Sequence, residues 1–173
     1  MPSLIVSALG PDRPGLVGQL TGVLHDAGAN ILDSRMVNLR GQFAMLLLLD
    51  VPDAGRLAQE LPAVAKSIGL HLSITPQAAA AKPLPGIPFK LKTYSLDQPG
   101  LVHRVSEVLR THGVNIEDLS ARQESAPFAG DPLFIMEMRL TVPRAVSVKS
   151  LRADLEATCD QLNADLDLEP ATP

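Results

Sequence analysis

The chain repeats itself at a fixed distance. Asp12-Arg13-Pro14-Gly15-Leu16-Val17 returns as Asp97-Gln98-Pro99-Gly100-Leu101-Val102. Val23-Leu24, Gly28, Asn30-Ile31 and Asp33 return as Val108-Leu109, Gly113, Asn115-Ile116 and Asp118, every pair 85 positions apart and without a gap. Such a repeat means a duplicated structural unit, so whatever one copy folds into, the other must fold into as well. The 173 residues suit two small domains. Each half lies near the lower size limit for a core of its own, so packing of the halves against each other is expected.

With aromatics at 3% of residues and no Trp against a hydrophobic fraction of 46%, the cores must be aliphatic. The formal net charge is −4, and the basic residues form no run beside stacking aromatics, so direct DNA binding is not expected. Cys159 is the only cysteine; no intramolecular disulfide can form and a reducing compartment fits. Met1-Pro2-Ser3-Leu4 lacks a basic leader, and no apolar run is long enough to span a bilayer. The expectation is a soluble, cytoplasmic protein without membrane association.

Leu4 to Leu9 is a short apolar run closed by Gly10-Pro11 and reads as a buried strand. Leu16, Val17, Leu20, Val23, Leu24 and Ala27 then fall on one helical stripe. Asp12 before Pro14 is the expected N-cap and Gly28 the expected exit. Asn30 to Leu39 and Phe43 to Val51 flank Arg40-Gly41-Gln42, the pattern of a β-hairpin. The uniformly apolar Phe43–Leu49 predicts a central strand covered on more than one side. Asp53 can cap a second helix reaching about Ser67 and buried through Leu57, Leu61, Val64 and Ile68, although Pro62 predicts a kink or a split. Leu70 to Ile74 alternates as a last strand.

The order recurs in the second copy. Strands are expected at 89–96, 114–123, 133–142 and 165–168, with helices at 99–111 and 148–162. Between Thr75 and Pro88, four prolines and an Ala run mark a semi-stiff linker, so the domains are expected at 1–76 and 88–173, joined by 77–87. The hairpin loop lengthens to 124–132 in the second copy only, which marks a surface specific to that copy. Twice β-α-β-β-α-β makes an α+β protein of two ferredoxin-like modules, each an antiparallel four-stranded sheet covered by two helices.

The chemistry sits at the first strand-to-helix turn and at the start of the next strand, which are expected to approach each other. Gly15 and Gly100 would let a ligand reach the amides of the helix's first turn, where the dipole favours a carboxylate. Asp12 or Asp97 could accept from an ammonium group, and Asn30 or Asn115 could bridge the two ends. The competing reading makes each Asp a plain cap. Asp33 and Asp118 are expected to pair with Arg35 or Arg122 or to face solvent. His25, His71, His103 and His112 show no metal-ligand spacing and read as surface residues; Cys159 reads as a small core residue. No motif of nucleophilic, metal-dependent or phosphate-cradling catalysis is present, and an enzyme is not expected.

Asp-x-Pro-Gly-Leu-Val followed after the helix by Gly-x-Asn-Ile resembles the ACT domain, twice over. That resemblance implies a regulatory module binding amino acids between paired modules. Its ligand-contacting positions fall on Asp12, Arg13, Pro14, Gly15, Leu16, Asn30 and Ile31, and on Asp97, Gly100, Leu101, Asn115 and Ile116. Ala8 to Val17, Asp33-Ser34-Arg35, Gly41-Gln42-Phe43 and Cys159-x-x-Leu162-Asn163-Ala164 are similar to the glycine cleavage system transcriptional repressor family. This implies a small amino acid, glycine or serine, as ligand, a LysR-type activator as protein partner, and a homodimer. ACT pairs also precede hydrolases such as formyltetrahydrofolate deformylase and phosphoserine phosphatase, so a regulatory fragment of an enzyme is one rival; a ligand-free oligomerisation module is another. Gln98 in place of Arg13 predicts unequal sites, with the first copy nearer the motif.

Overall fold

The computed structural model describes residues 3–77, 85–125 and 132–171. The chain divides into two compact units, residues 1–81 and 82–173. The first unit holds β1 (Ser3–Pro11), α1 (Leu16–Asp26), β2 (Asn30–Leu39), β3 (Gln42–Asp50), α2 (Ala54–Ser67) and β4 (His71–Gln77). The second holds β5 (Ile87–Leu96), α3 (Leu101–Thr111), β6 (Asn115–Ser125), β7 (Pro132–Val142), α4 (Val148–Gln161) and β8 (Ala164–Pro170). The sheets are ordered β2-β3-β1-β4 and β6-β7-β5-β8, with every neighbouring pair antiparallel. Both units are therefore βαββαβ modules of the ferredoxin-like kind. Residues 78–84, within the expected linker, and 126–131, within the lengthened hairpin loop, lie outside the described residues.

Period-two burial builds one sheet face in each unit and period-3.6 burial builds the helices above it. In the first unit Leu4, Val6 and Ala8 of β1 and Phe43, Met45, Leu47 and Leu49 of β3 meet Leu16, Leu20 and Leu24 of α1 and Leu57, Leu61 and Ala65 of α2. A fully buried Leu of this kind contributes roughly 2 kcal/mol. On α2 the buried stripe runs through Ala65 rather than Val64, which stays 36% exposed. The second core uses the same positions, from Phe89 and Leu91 through Val105, Met136 and Leu155 to Cys159.

Three local expectations change. Asp53 does cap α2, its Oδ1 accepting from the Arg56 amide at 2.9 Å, but Pro62 does not split that helix, which runs unbroken to Ser67. Strand β3 lies inside the sheet, yet only one of its faces is covered within its unit: Leu46, on the other, is 49% exposed. The hairpin turn is the two-residue loop Arg40-Gly41, with φ of 50° and 83°, the double left-handed geometry that matches strand twist.

Both edge strands carry a bulge at equivalent points, between Ile31 and Asp33 in β2 and between Ile116 and Asp118 in β6. The extra residues are Leu32 and Glu117.

Candidate ligand site

The turn between β1 and α1 is built from both ends of its unit. Beyond Pro11 the Asp12 amide donates to the Gly41 carbonyl at 2.8 Å. The Asp12 carboxylate accepts from Asn38 Nδ2, and Asn38 Oδ1 accepts from the Gly41 amide at 3.2 Å. Asp12 is thus fastened to the hairpin and does not cap α1. The N-cap is Gly15, at φ 90° and without any side-chain cap bond. Its carbonyl accepts the Gln19 amide at 2.9 Å and the Leu16 amide donates to the Arg13 carbonyl at 3.4 Å; the following amides of the first helical turn have no intrahelical partner. A Cβ on Gly15 would meet only Gln19 Nε2, at 4.0 Å, so the approach to those amides is open and the backbone angle, not crowding, calls for glycine.

The second copy reproduces the arrangement. Asp97 Oδ2 accepts from Gln123 Nε2 at 2.6 Å, Gly100 sits at φ 94°, and the Arg104 amide donates to the Gly100 carbonyl at 2.9 Å. Asn38 and Gln123 were not among the expected site residues. Their signal was present in the sequence, since both are carboxamides 26 residues after the aspartate and equivalent under the repeat.

Arg13 and Gln98 share a task despite their difference. Arg13 Nη2 donates to the Ile68 carbonyl at 3.1 Å and to Gln19 Oε1 at 2.7 Å, while Gln98 Nε2 donates to the Leu162 carbonyl. Each ties its turn to the C-terminal cap of the unit's second helix. Leu16 and Leu101 are core residues, 2% and 1% exposed, and could meet a ligand only through their backbone. Pro14 and Pro99 lie in the exposed turns.

The strand starts do not join these turns within a unit. Asn30 pairs with Asp50, and Asp50 with Ser3, whereas Asp12 follows Pro11, which pairs with Gln42 beside Leu39. At about 3.3 Å per residue the two ends of the sheet are roughly 26 Å apart. The expected approach of Asp12 to Asn30 therefore does not occur inside one module: β1 and β2 run the same way with β3 between them, and α1 carries the chain back to the far end. Asn30 and its neighbour Ile31 are exposed there. Asn115, beside the part-buried Ile116, is engaged, its Nδ2 donating to Glu117 Oε1 at 2.6 Å. Hydrogen bonds from Asn115 and then Thr141 hold the Glu117 carboxyl below its usual range.

The remaining candidates fall as follows. Asp33 Oδ1 accepts the Ser34 amide at 2.7 Å. Arg122 pairs with Glu124 at 2.6 Å and Glu137 at 3.5 Å, not with Asp118. His25, His71 and His103 are exposed, but His112 is not a surface residue: its ring is 16% exposed and lies 2.7 Å from Asp154 Oδ2, joining α3 to α4. Burial pushes the Cys159 thiol up to about 11, consistent with packing rather than nucleophilic chemistry. Among the described residues no three His, Cys, Asp or Glu side chains group as metal ligands, and no helix is long and apolar enough to cross a membrane.

Two βαββαβ units, each with a glycine at the N-cap of its first helix, make a tandem of ferredoxin-like modules. A family model described as ACT domain matches residues 3–75. The chain is 28% identical over 163 residues to the glycine cleavage system transcriptional repressor of Escherichia coli, a match spanning 93% of this chain and 86% of that one. An unknown protein from Galdieria sulphuraria has a solved structure with TM-score 0.84 and 30% identity, covering 99% of both chains. A candidate glycine cleavage system transcriptional repressor of known structure shares the fold at TM-score 0.75 and 21% identity, over 99% of this chain. An ACT domain thus accounts for residues 3–75, and the second unit repeats its strand order.

Proposed function

We propose that this protein is a non-enzymatic, amino-acid-sensing regulator that represses glycine cleavage genes through a partner activator protein of the LysR type. The similarity to the Escherichia coli repressor along 93% of the chain carries the reading, because it takes in both modules and not one isolated turn. The formal charge of −4 suits a cytoplasmic homodimer that acts on a protein and leaves DNA contact to it.

In this reading the ligand is glycine or serine. Its carboxylate takes the amides behind Gly15, where the helix dipole is favourable, and its ammonium takes Asp12. An amino acid touching both an Asp12-type turn and an Asn30-type strand start draws, in this reading, on one module from each protomer of the homodimer, since one module holds them at opposite ends of its sheet. Ligand then shifts the population of protomer arrangements by its differential affinity for them. The first copy is the stronger site, because Asn30 is exposed whereas Asn115 is committed to Glu117.

Calorimetric titration with glycine, serine and other amino acids tests this. Saturable binding of one small amino acid is expected, weakened about tenfold or more in Asp12→Ala and in Asn30→Ala, with each unliganded variant melting within a few degrees of the parent. No heat and no thermal shift with any amino acid would overturn the sensor reading.

A further inference from the structure

At the centre of the sheet face turned away from the helices, the first unit carries an apolar pair where the second carries a charged one at the same register. Ile5 and Leu48 stand opposite each other on β1 and β3; the equivalent pair on β5 and β7 is Lys90 and Arg139. The fold does not need charge there. Like charges placed directly opposite on adjacent strands disfavour the pairing, a repulsion the first unit avoids and the second offsets with carboxylates on its outer strands.

Their neighbours form close ion pairs and they do not. Lys92 Nζ lies 3.1 Å from Glu137 and 4.9 Å from the Tyr94 ring centre, and Arg122 is paired to Glu124 and Glu137. Among the described residues neither Lys90 nor Arg139 has a carboxylate within 4.0 Å. Asp118 and Glu169 flank them one strand further out, opposite Arg139 and Lys90 respectively. A cavity of about 390 Å³ opens over this place, lined by Lys90, Lys92, Asp118, Ser120, Glu137 and Arg139.

We propose that this cavity binds a small carboxylate- or phosphate-bearing anion, bridged by Lys90 and Arg139 with the Ser120 hydroxyl at its edge. Guanidinium and ammonium groups side by side suit a planar or tetrahedral oxyanion. The site lies on the opposite sheet face from the helices, is specific to the second unit, and does not depend on the amino-acid reading of the turns.

The test is a titration of the full chain with inorganic phosphate and, separately, with succinate at constant ionic strength, followed by backbone amide NMR shifts. Saturable shifts confined to the segments around Lys90, Asp118–Ser120 and Arg139 are expected with at least one anion, and the two arms tell a phosphate site from a carboxylate site. Lys90→Gln and Arg139→Gln should each weaken the binding about tenfold, the loss of one charge-assisted hydrogen bond. The double variant Lys90→Ile/Arg139→Leu, which copies the first unit's pair, should remain folded and lose the response. Shifts that stay linear with both anions, or saturable binding that survives in the double variant, would overturn the proposal.

Discussion

Glycines three residues apart in the first copy carry opposite demands. Gly15 holds a φ of 90° in front of α1, while Gly18 lies within the helix with nothing within 4 Å of the position of a Cβ. Gly15→Ala should therefore cost about 1–2 kcal/mol, whereas Gly18→Ala should gain about 0.5–1 kcal/mol; urea denaturation of the pair gives both signs. A second residue-scale contrast lies on β5, where Thr93 and Ser95 occupy the places of Ala8 and Gly10. Their hydroxyls are buried and have no partner among the described residues, a costly condition. Thr93→Val keeps the shape and removes the hydroxyl, and should raise stability by about 1 kcal/mol in the same measurement.

The elements were legible because period and punctuation agreed: Gly28 and Gly113 do end their helices at positive φ, and Asp53 does begin one. What local pattern could not supply was direction. Asp12 read as a cap because caps precede helices, but its partner Asn38 lies 26 residues on, across a sheet whose order no local window contains. The same gap made Asp12 and Asn30 look like neighbours. On β6 and β7 the carboxylates have a consequence of their own. Asn115 holds Glu117, and Lys92 then Arg122 hold Glu137, below the usual carboxylate range. A depressed folded-state value gives stability that is fully present above the unfolded value near 4.5 and is lost as pH falls through the lower, folded one. Denaturation midpoints taken at neutral pH and at about pH 3 should therefore fall less for Glu117→Gln and Glu137→Gln than for the parent chain.

At the scale of the molecule, two cores stand side by side in sequence and share no residue. Each unit has the full set of strands, helices and caps that its sheet requires. Residues 1–81 and 82–173, expressed separately, should each give a cooperative thermal transition by circular dichroism, at modest stability for domains of this size. The two transitions should respond to different substitutions: Gly15→Ala moving only the first, Thr93→Val only the second.

The bulge in the edge strands is indifferent to the side chain it carries. It falls at the same point of both copies, yet the residue it accommodates is Leu32 in one and Glu117 in the other. A backbone irregularity that tolerates so complete a change of side chain belongs to the fold of the module and not to its occupant. The greasy and the acidic residue are two fillings of one shape.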